Sequence, residues 1–206
     1  MILVGDNMII NYYSLLAKYS SYSNPKMKIS RDVKAGKYFL LKRGIYETDR
    51  NINPMYLASS IYGPSYISFE YALYYYGLIP ESVNVITNAT YNKRKNKEYH
   101  NIFATYRYSD VPKEVFPLAT NLVVSHDGKY SYFIASKEKC ICDTLFKAPS
   151  LKNTKDLETY LFIDLRIDQE LFDELDFTSI VEIAKAYKRN NHLLLIAYLK
   201  EKGYAQ

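Results

Sequence analysis

Tryptophan is absent from this chain, cysteine occurs twice and histidine three times among 206 residues. Each scarcity removes a class of protein. The cysteines stand as Cys140-Ile-Cys142, a spacing that cannot supply a disulfide framework or a complete metal site. They read as reduced, small, largely apolar packing residues. His100, His126 and His192 are too scattered to suggest a metal centre, and the Asp127-Gly128 neighbour of His126 gives it a surface-turn address. The longest apolar run, Leu193–Leu199, falls far short of the roughly 20 residues of a membrane span. Near the N-terminus stands Asp6, with no cationic region ahead of an apolar run, so the expectation is a cytoplasmic protein with no membrane partner.

The chemical motifs are missing in the same way. A P-loop needs converging glycines and a Lys-Ser/Thr pair, whereas Gly36-Lys37 and Gly128-Lys129 are each followed by tyrosine. The G-x-G-x-x-G, G-x-S-x-G and H-E-x-x-H patterns do not occur, nor does a Gly-Ser turn followed by a strand-borne Asp-x-Asp. No catalytic residue, metal ligand or cofactor is therefore assigned. Asn88-Ala-Thr90 matches the glycosylation pattern, which means nothing functional without a secretory signal. Tyrosine, with 23 copies, reads as compositional bias rather than as a stacking surface.

What the chain does have is segregated charge. Residues 1–50 carry nine Lys/Arg against four Asp/Glu, an excess equal to the formal +5 of the whole chain, so residues 51–206 are neutral. Residues 156–176 hold eight carboxylates and a single cation, Arg166, an unfavourable surface for nucleic acid. In the basic stretch, Asn24 and Pro25 are suited to open a helix and Gly36 to close it. At about 100° per residue, Ile29 and Val33 share one side of that helix and Lys28, Arg31 and Lys34 the other. Next, Lys37–Lys42 and Ile45–Glu47 flank Arg43-Gly44 as a hairpin whose glycine relieves the turn and whose cations, Lys42 and Arg43, point outward. A basic helix beside a basic hairpin tip is how a small winged helix that grips phosphates would be written.

The remaining pattern predicts helices over about 8–19, 54–62 and 69–76, the last capped by Ser68 and closed by Gly77. Strands fall at 83–90 and 99–108, joined by a second basic patch of Lys93, Arg94, Lys95 and Lys97. A hairpin follows at 122–125 and 130–135, turning on Asp127-Gly128. Helices are predicted near 137–147, 155–162, 168–175, 178–189 and 191–202. Ser136 is the expected cap of the first of these, Glu138 suits its dipole, and Lys137 and Lys139 read as solvated. Helices, hairpins and helices in that order define an α+β fold rather than a doubly wound parallel sheet. The division expected is a basic winged-helix-like domain over 1–50 and an α+β domain with antiparallel hairpins and a helical C-terminus over 51–206.

The segments Ile29–Tyr46, Pro54–Ala58, Ser65–Leu73, Gly77–Pro80 and Ser136–Asp143 together resemble the AbiEi-type antitoxins of abortive-infection toxin–antitoxin systems. The most telling part is the order of a glycine, a hairpin ending Arg43-Gly-Ile-Tyr46, a helix, Ser68-Phe-Glu-Tyr-Ala-Leu73 and Gly77-Leu78. The resemblance implies an N-terminal winged helix-turn-helix that represses the protein's own operon. It also implies a C-terminal domain that counteracts a nucleotidyltransferase-like toxin. Its partners would be operator DNA upstream of its own gene and that cognate toxin. Carried over, the DNA-facing residues are Arg31, Lys34, Lys42 and Arg43, to which the helical wheel adds Lys28. The stretch before Ile29 is shorter than a three-helix helix-turn-helix uses, so an abbreviated domain is expected. Two readings stand beside this one: an interaction protein acting through residues 51–206, and a metal-dependent nucleic-acid-processing enzyme.

Overall fold

The computed structural model describes residues 8–204; Asp6 lies outside them. The fold is α+β, with a three-stranded and a six-stranded sheet. The first begins with β1 (Ile10–Asn11) and α1 (Tyr12–Lys18). The helix expected from Met8 thus starts four residues later. Ile10 and Asn11 are extended instead, opposite Tyr46 and Ile45, and the Asn11 side chain accepts from Ser14 N–H at 2.9 Å, which fixes the helix start there. Asn24 caps α2 (Pro25–Lys34) in the same way, accepting from Met27 N–H at 3.0 Å, and Pro25 takes the first turn. Gly36, at φ +70°, ends the helix as expected. Strands β2 (Phe39–Lys42) and β3 (Ile45–Glu47) then form the hairpin, with Gly44 at φ +83°. The sheet order is β1-β3-β2. Leu15, Tyr19, Ile29 and Tyr38 make a small core beneath it, and burying an aliphatic side chain of this size contributes about 1.5–3 kcal/mol.

The larger sheet has the order β6-β7-β5-β4-β9-β8. Its strands are β4 (Tyr66–Ile67), β5 (Val85–Thr90), β6 (Lys97–His100), β7 (Thr105–Asp110), β8 (Thr120–Val124) and β9 (Ser131–Ala135). β5 runs parallel to β7 and β4 to β9, and the other pairs are antiparallel. The single strand expected over 99–108 is a hairpin. Asn101 breaks it, its side chain accepting from Phe103 and Ala104 N–H at 2.9 and 3.2 Å, an Asx turn that satisfies backbone groups without a ladder. The helix expected over 54–62 divides into a 3-10 turn (Pro54–Leu57) and α3 (Ala58–Ile61).

α4 (Phe69–Tyr75) carries a further correction. Ser68 sits at its N-cap but makes no capping bond, because its hydroxyl is directed 2.6 Å away to Asp143. Thr87 on β5 takes over the task, accepting from Tyr71 N–H at 3.1 Å. The C-terminal helices are α5 (Lys137–Lys147), α6 (Thr154–Thr159, continuing as a π turn over 160–164), α7 (Gln169–Asp173), α8 (Phe177–Tyr187) and α9 (Asn190–Glu201). They share one large core with the sheet, including Ile67, Leu73, Tyr108, Leu145, Ile180 and Leu195. Cys140 and Cys142 are free and buried on α5, where burial pushes both thiols up. They pack, as their composition suggested.

The two sheets are stitched together by specific contacts. Leu41 of β2 lies in the larger core, and its carbonyl accepts from the Asn101 side chain at 3.2 Å. Buried Glu47 of β3 accepts from Tyr130 O–H at 3.0 Å. Arg50 covers the Phe39 and Phe103 rings, which themselves meet edge to face. No described helix is long and apolar enough to cross a membrane.

Candidate nucleic-acid interface

Helix α2 faces solvent with Lys26, Met27, Ser30, Arg31 and Lys34, all exposed. Its one carboxylate, Asp32, is only 6% exposed and turned to the other side. There Asp32 accepts from Tyr19 O–H at 2.5 Å and from Lys28 at 2.6 Å, while Lys37 stands 3.9 Å away. Burial alone would raise the Asp32 pKa, but these hydrogen bonds and the lysine charges outweigh it and hold the carboxyl below the usual range. The same pair raises Lys28, chiefly through the hydrogen bond to Asp32. Lys28 is therefore committed to the helix's own neighbour, whereas Arg31 and Lys34 remain on the outward face. The wheel put Lys28 with them on the strength of its charge, although Asp32 follows it at i+4, a spacing that places the carboxylate within reach.

Lys26, in the first turn of α2, is exposed as well, although at about 100° per residue it falls beside Val33 on the wheel rather than with Arg31 and Lys34. Two more cations join through the tertiary fold. Lys18 donates to Tyr38 Oη at 3.1 Å, and Lys18, Lys28 and Lys37 all stand within 6 Å of the Tyr19 ring.

The hairpin tip separates its two cations. Arg43 is exposed. Lys42, expected to point outward, turns inward and donates to the Ile61 carbonyl at the end of α3. Burial, and then the Lys93 ammonium, hold its pKa below the usual lysine value. A groove of about 690 Å³ opens between the start of α1 and the tip, lined by Asn11, Tyr12, Tyr13, Lys42, Arg43 and Tyr46. Tyr13 is 80% exposed there. An aromatic face beside a guanidinium can stack on a base or a sugar while the cation meets a phosphate.

The second basic patch is pinned rather than loose. Asp110 accepts from Lys93 and Arg94 N–H, both at 2.7 Å, which holds Asn92 and Arg94 at φ +56° and +60°, a region that costs most side chains energy. Lys93 reaches the Gly63 carbonyl at 3.0 Å and covers the Tyr62 ring. Its acceptor lies two residues beyond Ile61, which takes Lys42, so both cations gather where α3 ends, a place that favours positive charge. Arg94 and Lys95 are exposed; Lys97 is half-buried on β6.

A third constellation lies inside. Lys139 and Asp143, one turn apart on α5, are both fully buried with Nζ and Oδ1 at 3.0 Å. Lys139 was expected to be solvated. It is held instead by Asp143, by the Val115 carbonyl at 2.8 Å and by the faces of Tyr66 and Tyr187. Asp143 also accepts from Tyr66 at 2.9 Å, from Ser68 at 2.6 Å and from Tyr187. Burial and then the Asp143 charge push the Tyr66 and Tyr187 hydroxyls far up, so both stay protonated donors. His192 stacks on Tyr187 with ring centres 4.1 Å apart, and its Nε2 faces the Cys142 carbonyl at 2.9 Å. Every contact points inward, so the cluster holds structure. Among the described residues, no three His, Cys, Asp or Glu side chains gather as a metal site. No protein-family model and no curated protein matches the chain.

Proposed function

We propose that the protein is a DNA-binding antitoxin that represses its own operon and counteracts a nucleotidyltransferase-like toxin. The observation that carries the DNA-binding half is the outward face of α2. It presents Arg31 and Lys34, with Lys26 exposed in the first turn and no carboxylate among the exposed residues of that helix, beside a hairpin whose tip exposes Arg43. The β-α-α-β-β order with sheet order β1-β3-β2 suits an abbreviated winged helix, with α2 at the groove and the hairpin on the backbone. The antitoxin half rests on the resemblance. In its favour, two separated segments that carry the likeness, Ser65–Leu73 and Ser136–Asp143, meet in the network of Tyr66, Ser68, Lys139 and Asp143.

Mobility-shift titrations over a salt series, with the DNA immediately upstream of the gene, test the first half. Reversal of Arg31, Lys34 and Arg43 to Glu is expected to abolish the shift at moderate salt, and single neutral substitutions to flatten the salt slope by about one unit per lost phosphate contact. Lys28→Ala, removing a cation already held by Asp32, should change affinity less than Arg31→Ala. An unshifted DNA at low salt would overturn DNA binding. Rescue of growth on co-expression with a neighbouring nucleotidyltransferase-like product tests the second half. Rescue without any DNA shift would favour an interaction protein acting through residues 51–206. Mg²⁺-dependent turnover of a nucleic acid would favour an enzyme.

A further inference from the structure

The six-stranded sheet ends in two edges of opposite character. At one, β6 carries Lys97, Glu98 and His100, with Glu98 tied to Arg107 at 2.8 Å and to His100 at 2.9 Å. Charges of this kind guard an edge against pairing with another chain. At the other edge, β8 reads Thr-Asn-Leu-Val-Val, with no charge and no proline. Leu122 and Val124 are 54% and 52% exposed, and Phe133, directly opposite Leu122 on β9, is 48% exposed. Three apolar side chains on one face of an unguarded edge is the arrangement that natural sheets otherwise avoid.

The backbone of that edge is free to pair. Ser125 N–H donates to Tyr130 at 2.9 Å, and Ser136 N–H to Ala119 at 2.8 Å. Since hydrogen-bonded pairs alternate along an antiparallel ladder, Asn121 and Val123 direct their peptide groups to β9. Thr120, Leu122 and Val124 direct theirs outward, and they make no other backbone bond among the described residues.

We propose that β8 pairs antiparallel with β8 of a second copy about a two-fold axis at Leu122, joining two sheets into one. This register is the one of greatest overlap. It sets Leu122 opposite Leu122 and Thr120 opposite Val124, so all three outward residues exchange both of their ladder bonds. Directly opposed residues share a face, so the Leu122, Val124 and Phe133 side chains of both copies form one apolar stripe. The same register brings Val124 of the second copy beside Thr120, which with Phe133, Phe116, Pro117 and Tyr66 lines a pocket of about 360 Å³. A second copy is favoured over a charged partner because β8 offers no charge to complement, and a two-fold contact is self-complementary by construction. The inference does not rest on DNA binding or on the antitoxin reading.

Sedimentation of the full chain over a concentration series is expected to show a monomer–dimer equilibrium. Leu122→Lys, which opposes two ammonium groups at the axis, should weaken it by about tenfold or more while leaving the circular dichroism spectrum unchanged. Because Leu122 is half-exposed, this variant should fold; if its spectrum changes, Val124→Lys gives the same reading. The register is tested by oxidative cross-linking, with the native cysteines buried: Leu122→Cys should cross-link between copies and Val124→Cys, set opposite Thr120, should not. A monomer at all concentrations, a dimer indifferent to Lys at 122 and 124, or equal cross-linking at both positions would overturn the proposal.

Discussion

Asp143→Ala is expected to destabilise the fold by about 3–5 kcal/mol, a large share of the roughly 5–15 kcal/mol that holds a domain together. The reason is the number of groups it strands. Lys139 would lose its carboxylate partner and be left with only the Val115 carbonyl and two ring faces around its Nζ. Tyr66, Ser68 and Tyr187 would each lose the acceptor of a buried hydroxyl, and an unsatisfied buried donor costs about 1–3 kcal/mol. Lys139→Met should cost less, because it leaves the carboxylate with three hydroxyl donors and frees one carbonyl. Replacing both should not restore stability, since the three hydroxyls remain unpaired. Denaturant unfolding of the two single variants and the double variant checks this order. Equal cost for the two single variants would contradict the accounting.

Lowering pH from about 6.5 to about 4 is expected to cost the protein roughly 3 kcal/mol through His192 alone. Burial, opposed by the Cys142 carbonyl and the Asp143 charge, lowers its pKa from 6.5 to about 4. The carbonyl only accepts, so Nε2 carries the proton of the neutral ring, while Nδ1 has no partner among the described residues. Above pH 6.5 the ring is neutral in both the folded and unfolded chain, and its contribution is fully present. As pH falls below 6.5 the unfolded chain takes up the proton first, so stability is lost progressively until the folded ring also protonates near 4. His192→Phe preserves the stack on Tyr187 and removes the titration. Its stability should be about 1 kcal/mol lower at neutral pH, for the lost hydrogen bond, and nearly flat from pH 6.5 down to about 5, where carboxylates begin to protonate. A wild-type profile already flat across that window would show that His192 is not held neutral. Carboxyls held below their usual range, such as Asp32 and Glu98, lose stability in the same direction as pH nears the unfolded carboxylate range, so the His192 contribution is the difference between the two profiles.

The parts of the fold legible in the residue order are those fixed by local chemistry. Asn24-Pro25 and Gly36 bounded α2, Arg43-Gly44 and Asp127-Gly128 made the two hairpin turns, and the helical spacing of 137–147 and the following segments set the C-terminal helices. Such signals act within one turn or one loop, where the backbone requirement of a single residue decides the outcome. The misreadings lie where a distant segment competes for the same group. Ile10 and Asn11 left a helical pattern because β3 supplied a ladder, and Ser68 left its cap because its hydroxyl is turned to donate to Asp143 on α5, while Thr87 accepts from Tyr71 N–H in its place. Lys139 looked solvated because nothing near it in sequence announced Val115, Tyr66 and Tyr187.

The candidate interface divides along the same line. The sequence by itself determined the cationic excess of the first fifty residues, the helix that carries Arg31 and Lys34, and the turn that exposes Arg43. Only the tertiary structure decided which cations stay available. Asp32 and Tyr19 hold Lys28, the carbonyls of Ile61 and Gly63 draw in Lys42 and Lys93, and Lys18 and Lys37 gather where no sequence pattern put them. Formal charge is a property of each residue alone, but whether it faces solvent depends on which acceptors the folded chain brings within about 3 Å of it.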